Sequence, residues 1–284
     1  MWTLQRPVTS DVTAFDDSRS RLDPVHLRTI RLEAGRDAVL NAMQGYGPRA
    51  QANELHLLAP HLDIAGAVTK SDMEYLYTGG MLKVGAGRHI YDAIMGLAPN
   101  SRCPYCGHRR VRQLDHFLPK SKYPSFSVAP LNLVPSCSDC NKDKLDGDAN
   151  RLTDLPLHPY FDYIDNACWL KADVVQVPGS VFLFEVDTNC GLPATDMQRL
   201  QSQFNKLDLD ELYTTEANDE LASIRLNLRK QHAIDGAASV REYLQGEFES
   251  AQDHRLNAWK TAFYRAACQN DWFCNGGFDD PELP

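Results

Sequence analysis

The 284-residue sequence contains no apolar run long enough to cross a bilayer. Its first residues also lack the apolar stretch of a signal peptide. These two absences predict a cytoplasmic protein with no membrane partner. Internal repeats and low-complexity segments are missing as well. The content of hydrophobic residues is 43%, ordinary for a globular protein, so the bulk of the chain is expected to fold.

Basic residues are scarce, since 29 lysines and arginines face 38 acidic residues and the net charge is -9. This balance excludes a broad nucleic-acid-binding surface. The charge is unevenly distributed, however. The segment from Ser101 to Arg151 holds nine basic and five acidic residues and is therefore +4, whereas the remainder of the chain is -13. A basic island in an acidic protein marks a place where a phosphate backbone can bind.

Hydrophobic spacing divides the chain into three predicted regions: a helical region at 1–98, a region of short extended runs and polar turns at 99–165, and a β-hairpin followed by helices at 166–284. The first twenty residues are polar and aperiodic, which predicts a loosely docked arm. Apolar residues at helical spacing from Leu27 predict one helix that ends at the breakers Gly45-Tyr-Gly-Pro48.

The C-terminal region begins with a run from Trp169 to Val186 that is rich in valine and phenylalanine. Pro178-Gly179 at its middle predicts a hairpin turn. Helical spacing resumes after Thr195. The tail from Gly276 to Pro284 has no apolar period and is predicted to lack regular structure.

Four of the eight cysteines form two CxxC pairs, Cys103/Cys106 and Cys137/Cys140, and the other four are scattered. Two short-spaced pairs in a cytoplasmic chain favour a zinc site over disulfides. The alternative is chance pairing of buried thiols. Because four sulfurs fill a tetrahedral zinc completely, this zinc is expected to be structural and to take no part in chemistry.

Between and just after the two pairs lie Asp115-His116, Asn132 and Asn141. A carboxylate such as Asp115, with the amide oxygen of Asn141, suits Mg²⁺ or Mn²⁺. His116 can accept a proton from water near neutral pH. Neighbouring strand residues point to opposite faces, so convergence of Asp115 and His116 predicts a bulged or irregular strand. Taken singly, an Asp-His pair is more often a surface hydrogen bond and an asparagine a turn residue.

In this order and context the segment resembles the HNH, or ββα-metal, endonuclease family. The family pattern has an acid-histidine pair on a first strand, an asparagine before the second strand, and a histidine or asparagine at the start of a helix. The resemblance covers about fifty residues and implies that His116, Asp115, Asn132 and Asn141 are catalytic. It also implies that Asn132 ties the loop backbone and orients His116. The predicted fold class is α+β, with a zinc-stabilised ββα-metal (HNH) core and mainly helical N- and C-terminal extensions.

The implied activity is metal-dependent hydrolysis of DNA phosphodiester bonds, with double-stranded DNA as the substrate and 5′-phosphate and 3′-hydroxyl ends as products. Basic residues around the motif are candidates for phosphate contacts: Lys120, Lys122, Lys142 and Lys144. The alternative for each is the solubility of an exposed face. For His158, in a His-Pro-Tyr segment, packing behind the metal site and a simple turn both remain open.

The layout of an HNH segment between acidic helical regions resembles the nuclease subunit of bacterial anti-phage systems of the Septu and retron-associated types. That resemblance implies a protein partner, such as an ATPase subunit. The rival hypothesis is a zinc-stabilised DNA- or protein-binding module whose nuclease fold is catalytically silent. A metal-dependent nicking assay distinguishes the two.

Overall fold

The computed structural model describes residues 1–83, 85–144, 151–177 and 180–280. The chain forms two compact units, Met1–Tyr163 and Ile164–Pro284. Within the described ranges, helices accompany three two-stranded antiparallel sheets, so the predicted α+β class is confirmed. None of the helices described there has an apolar stretch long enough to span a bilayer.

The first unit opens with a helical layer, whose elements are α1 (Asp11–Arg19), α2 (Leu27–Ala34), α3 (Arg36–Gln44), α4 (Tyr46–Gln51), α5 (Lys70–Tyr75), a π-helical stretch (Leu76–Leu82) and α6 (Arg88–Met95). A small sheet of β1 (Asp63–Ile64) and β2 (Val68–Thr69) precedes α5. Short 3-10 turns lie at Leu55–Leu57, Pro99–Ser101, Pro124–Phe126, Pro130–Asn132 and Leu152–Asp154.

The segment that carries the motif forms strand β3 (Gln113–His116), strand β4 (Leu133–Ser136) and helix α7 (Ser138–Lys144). The two strands pair antiparallel in unbroken register from Gln113 opposite Ser136 to His116 opposite Leu133. The bulged or irregular strand predicted at Asp115 and His116 is therefore wrong. His116 is the last residue of β3, so the chain leaves the sheet there and the two side chains reach one cavity without an extra residue.

The predicted N-terminal arm is also wrong, because the first residues are packed. Met1, Trp2 and Leu4 are buried, and α1 buries Phe15. The backbone N–H of Trp2 donates to the carbonyl of Pro104 at 2.7 Å. These apolar residues follow no helical period, so the pattern could not reveal that they dock by tertiary contact.

The helix predicted from Leu27 to Gly45 is two helices that meet at Gly35. A Cβ on Gly35 would lie 2.3 Å from the side chain of Val68, so the close approach of β2 requires glycine here. Leu27 is 70% exposed, and the buried stripe runs through Leu32 and Val39 instead. The stretch from Gly45 to Pro48 was predicted to break the helix, but α4 begins directly after Gly45. Pro48 is tolerated there because it lies in the first turn of α4.

Asp72 lies in the first turn of α5 and is buried. Its carboxylate receives two hydrogen bonds from Arg31, at 2.8 and 2.6 Å, and closes a capping box with Thr69. Burial alone raises the pKa of Asp72, but the hydrogen bonds from Arg31 and Thr69 outweigh it and hold the pKa at about 2. The folded protein therefore favours the charged form.

This arrangement predicts a pH-dependent loss of stability. Asp72 titrates near pH 4 when unfolded, so its contribution, about 2 kcal/mol, is present above that pH and is lost as the pH falls toward 2. In urea titrations between pH 5 and pH 2.5, Asp72→Asn should flatten this slope relative to the wild type. Acid also releases metal from thiols, so the difference between the two proteins is the measured quantity. Asp37→Asn, whose carboxyl is 93% exposed, should keep the wild-type slope; an equal flattening would contradict the assignment.

The second unit contains strands β5 (Leu170–Val177) and β6 (Ser180–Val186) and helices α8 (Ala194–Lys206), α9 (Leu209–His254), α10 (Trp259–Gln269) and α11 (Asp271–Cys274), with a 3-10 turn at Gly277–Asp279. The predicted hairpin is confirmed, and its turn, Pro178-Gly179, lies outside the described residues. The tail is not wholly irregular, since Phe278 is buried within the last turn; residues 281–284 lie outside the described residues.

Candidate active site and metal centre

The four paired cysteines form a buried cluster in which all sulfurs lie within 4.8 Å of one another. The first pair lies in the loop before β3, and Cys137 and Cys140 lie at the start of α7. A Zn–S bond of 2.3 Å sets the sulfurs of a tetrahedral site about 3.8 Å apart, so the cluster fits a zinc ion. No other group of three or more His, Cys, Asp or Glu side chains in the described residues has metal-binding spacing.

In each CxxC knuckle a backbone N–H donates a hydrogen bond to a cysteine sulfur, which favours the thiolate form. The N–H of Arg109 donates to the Cys106 sulfur, and the N–H of Cys140 donates to the Cys137 sulfur, each at 3.4 Å. Gly107 has a φ of 66°, which closes the first knuckle, and a Cβ there would lie 2.7 Å from the Trp2 indole nitrogen. The packed N-terminus thus covers the first knuckle.

Asp115 is a buried carboxylate with two strong partners. Its Oδ2 accepts a hydrogen bond from the Tyr105 hydroxyl at 3.0 Å and pairs with the Lys144 ammonium at 2.6 Å. Burial raises the pKa of Tyr105 well above its ordinary value, and the charge of Asp115 adds to the effect, so this hydroxyl remains a donor. Tyr105 lies between Cys103 and Cys106, which connects the metal cluster directly to Asp115.

His116 is buried, and its orientation is fixed by a backbone group. Its Nε2 lies 2.9 Å from the carbonyl oxygen of Ser127, an acceptor, so Nε2 carries the proton and Nδ1 keeps the lone pair. Burial lowers the pKa of His116 to about 3, and the positive charges of Lys120 and Lys144 act in the same direction. The ring is therefore neutral at pH 7.

Asn132 is fully buried and bridges two backbone segments. Its Oδ1 accepts from the Leu118 N–H at 2.7 Å, and its Nδ2 donates to the carbonyls of Leu118 and Phe126 at 3.0 and 3.2 Å. Phe126 precedes Ser127, whose carbonyl holds His116. Asn132 thus supports the loop that orients the imidazole, and it is not among the residues that line the cavity.

Asp115 and His116 open onto a cavity of about 180 Å³ whose lining is predominantly polar: Glu74, Asp115, His116, Pro119, Lys120, Ser121, Asn141 and Lys144. The structure therefore brings three predicted site residues, Asp115, His116 and Asn141, to one place. Asn132 does not line the cavity.

The four lysines predicted to contact phosphate divide into two groups. Lys120 and Lys144 line the cavity, whereas Lys122 and Lys142 do not, and Lys142 is exposed. Lys144 is only 11% exposed and bonds to protein oxygens, so it is not the exposed, solubilising lysine that the sequence left open as the alternative to a phosphate contact.

His158 lies outside the cavity lining and is buried. Its ring stacks on Phe117 with centroids 4.0 Å apart, and its Nε2 lies 3.0 Å from the Tyr46 hydroxyl. The Tyr160 N–H donates to Nδ1 at 3.2 Å, so both ring nitrogens are engaged in packing contacts.

Sequence reasoning missed Glu74, Tyr105 and Ser127. Glu74 comes from α5, far from the motif in the chain, and no local pattern marks it as a site residue. Tyr105 had one available signal, its place inside a CxxC knuckle. Ser127 contributes only its backbone carbonyl, which any residue type supplies.

No family model matches the sequence, and no solved structure gives a significant match. Among curated proteins, the chain is 28% identical over 236 residues to Protein ea31 of Escherichia phage lambda, an alignment that covers 78% of this chain and 79% of that protein. It is 32% identical over 97 residues to the Septu protein PtuB of Bacillus thuringiensis, covering 32% of this chain and 37% of PtuB. The partial similarity to PtuB and the buried four-cysteine cluster together fit a zinc-binding, HNH-like module.

Proposed function

We propose that this chain is an HNH-type endonuclease that hydrolyses DNA phosphodiester bonds with a divalent metal, and that β3, β4 and α7 are its ββα-metal core. The observation that carries the proposal is that a buried carboxylate, Asp115, and a neutral, oriented imidazole, His116, line the same small polar cavity. Hydrolysis of a phosphodiester needs both a proton acceptor for water and a means of neutralising charge on the phosphoryl oxygens.

His116 acts as the general base in this proposal. With Nε2–H donating to Ser127, the Nδ1 lone pair is the acceptor for a proton from the attacking water. A pKa of about 3 makes a weak base, but part of the depression comes from the charges of Lys120 and Lys144. A phosphate anion beside these lysines offsets their charge and raises the basicity of His116 when DNA binds.

Asp115 and Asn141 are the proposed protein ligands for Mg²⁺ or Mn²⁺. They offer a carboxylate and an amide oxygen at one cavity, and magnesium commonly binds through one or two carboxylates while keeping several waters. When bound, the ion supplies charge neutralisation on the phosphate and stabilises the leaving oxygen. The hydrogen bond from Tyr105 holds the Asp115 carboxylate in place, so the backbone at Asp115 need not move for the ion to bind.

The basic island of the sequence supports DNA as the substrate. Lys120 lines the cavity beside the two proposed catalytic residues, and the exposed Lys142 lies on the same helix as Asn141. Together they offer positive charge to a phosphate backbone in a protein that is otherwise acidic.

A catalytically silent binding module is the second candidate, and one observation favours it. The Asp115 carboxylate is already neutralised by Lys144, at 2.6 Å. A chain in which that ion pair were permanent would bind nucleic acid or protein without cutting.

A plasmid assay decides between the two. The zinc-loaded protein with Mg²⁺ or Mn²⁺ should nick supercoiled DNA, and Asp115→Asn should reduce the rate at least about 100-fold, because the charge stabilisation supplied through the ligand is lost. The matched control is Asp143→Asn, on the same helix as Asn141 but outside the cavity lining, and it should cut like the wild type. No nicking by the wild type with either metal would support the silent module, whereas metal-independent nicking or equal rates for the two variants would remove Asp115 as the metal ligand.

We further propose that the nuclease works in a bacterial anti-phage complex with a protein partner, such as an ATPase subunit. The similarity to the Septu protein PtuB supports this setting, and so does the charge of -13 outside the basic island. Acidic flanks repel a duplex, so the isolated chain should bind DNA weakly and with steep salt dependence.

The same plasmid assay, repeated with the product of the neighbouring gene, tests the partner. The co-purified complex should cut faster and at higher salt than the lone chain. Rapid cutting by the lone chain that the neighbour leaves unchanged would leave a self-sufficient endonuclease.

A further inference from the structure

Lys144 is held in an unusually complete ring of oxygens. Its Nζ lies 2.6 Å from Asp115 Oδ2, 2.8 Å from the carbonyl of His116 and 3.0 Å from the carbonyl of Phe117. An ammonium has three hydrogens, and these three acceptors satisfy all of them. The Lys144 and Asp115 side chains are only 11% and 6% exposed, so water screens the pair poorly.

The Lys144 ammonium competes with a divalent cation for the Asp115 carboxylate. Carboxylate and carbonyl oxygens are the ligands that hard divalent cations prefer. Asp115 Oδ2 already accepts from both Lys144 and Tyr105, and a doubly charged ion at that carboxylate would meet the lysine charge within a few ångströms. Repulsion at this range in a buried site amounts to more than a tenfold change in affinity.

We propose that Lys144 is the resident counter-cation of Asp115, and that it leaves the carboxylate when the site is loaded with a divalent cation. Lys144 thereby weakens the metal affinity of the site and keeps the buried carboxylate neutralised when no metal is bound. This inference rests on the proposed function in one respect, namely that Asp115 is the carboxylate that receives the cation.

The position of Lys144 on α7 makes the exchange feasible. It lines the cavity, and its flexible stem can swing away without moving the strands. Once it has left Asp115, the ammonium lies beside the cavity where the phosphate is proposed to bind. Lys144 then serves in turn as counter-cation of the carboxylate and of the substrate.

Calorimetric titration of Mn²⁺ into zinc-loaded protein, without DNA, tests the exchange. Lys144→Met should bind Mn²⁺ at least about tenfold more tightly than the wild type, since the competing charge is gone. Lys83→Met, an exposed lysine of the same unit outside the cavity lining, should leave the affinity unchanged. Asp115→Asn should abolish this binding in either background.

Thermal melting supplies the second measurement. Without Mn²⁺, Lys144→Met should melt below the wild type, because Asp115 is left as a buried, unpaired carboxylate, and added Mn²⁺ should raise its melting temperature by more than that of the wild type. If Lys144→Met does not fold, Lys144→Gln, which keeps a donor without the charge, takes its place in both experiments.

The outcomes separate this inference from the nuclease proposal. Asp115-dependent Mn²⁺ binding that is equal or weaker in the Lys144 variant would overturn the exchange and leave the cation site standing. Absence of Asp115-dependent binding in both proteins would overturn the cation site itself, and the exchange with it.

Discussion

Replacing Cys137 with serine is expected to abolish zinc binding at the four-cysteine cluster and to lower the free energy of unfolding of the unit Met1–Tyr163 by several kcal/mol. Binding of a structural zinc contributes about 10–16 kcal/mol in small zinc domains, because the site does not exist in the unfolded chain. The four sulfurs lie buried within 4.8 Å of one another, so a variant that lacks one of them leaves the zinc site with only three thiolate ligands.

The effect should extend to the proposed active site. Tyr105, between two of the cysteines, donates to Asp115, and α7 starts from the second knuckle and carries Asn141 and Lys144 into the cavity. Without the metal, both connections are released. Zinc removal by a chelator should therefore abolish cleavage even when Mg²⁺ is in excess, although no zinc ligand touches the cavity.

The measurements are elemental analysis and thermal melting of freshly purified protein. The wild type should contain one zinc per chain and Cys137→Ser less than one. Cys190→Ser is the matched control, since this half-buried cysteine lies in the second unit, outside the cluster. A wild type that contains no zinc, or a Cys137 variant that keeps the full zinc content and melting temperature, would remove the structural-zinc assignment.

The sequence predicted those parts of the molecule whose chemistry leaves a local mark. Cys103 and Cys106 were found because two thiolates on one tight knuckle need a fixed spacing. The hairpin of β5 and β6 was found because a Pro-Gly turn between valine-rich runs is a local signal.

Features that depend on tertiary packing were missed. Trp2 looked like part of a loose arm, because its burial comes from tertiary contacts, among them its approach to the Gly107 knuckle. Glu74 reaches the cavity from α5, an element with no motif. Lys144 was a candidate phosphate contact or an exposed lysine, and nothing in its neighbours along the chain indicates that it pairs with Asp115.

His116→Ala is expected to reduce metal-dependent DNA cleavage by about 10²–10⁴-fold, the usual cost of losing a general base. The Nδ1 lone pair disappears, and no other neutral imidazole lines the cavity among the described residues. Because His116 is a base and not a metal ligand in this proposal, zinc content and Mn²⁺ affinity should remain at their wild-type values.

Removing a buried ring also leaves a void, so stability must be separated from catalysis. His116→Gln retains an amide donor at the position of Nε2 for the Ser127 carbonyl but no basic nitrogen, and it should lose as much activity as His116→Ala while losing less stability. His89→Ala is the control, since this histidine side chain is 62% exposed and lies outside the cavity lining; it should cleave DNA like the wild type.

The readouts are the plasmid cleavage rate, the melting temperature and the zinc content, measured on the same preparations. If both His116 variants fold, hold zinc and cut like the wild type, His116 is not the base, and the proton acceptor must then be sought among the cavity carboxylates, of which Glu74 is the one not paired with Lys144. If activity falls only in the variant that has also lost stability, the role of the ring is to fill the core beside Tyr77 and not to accept a proton.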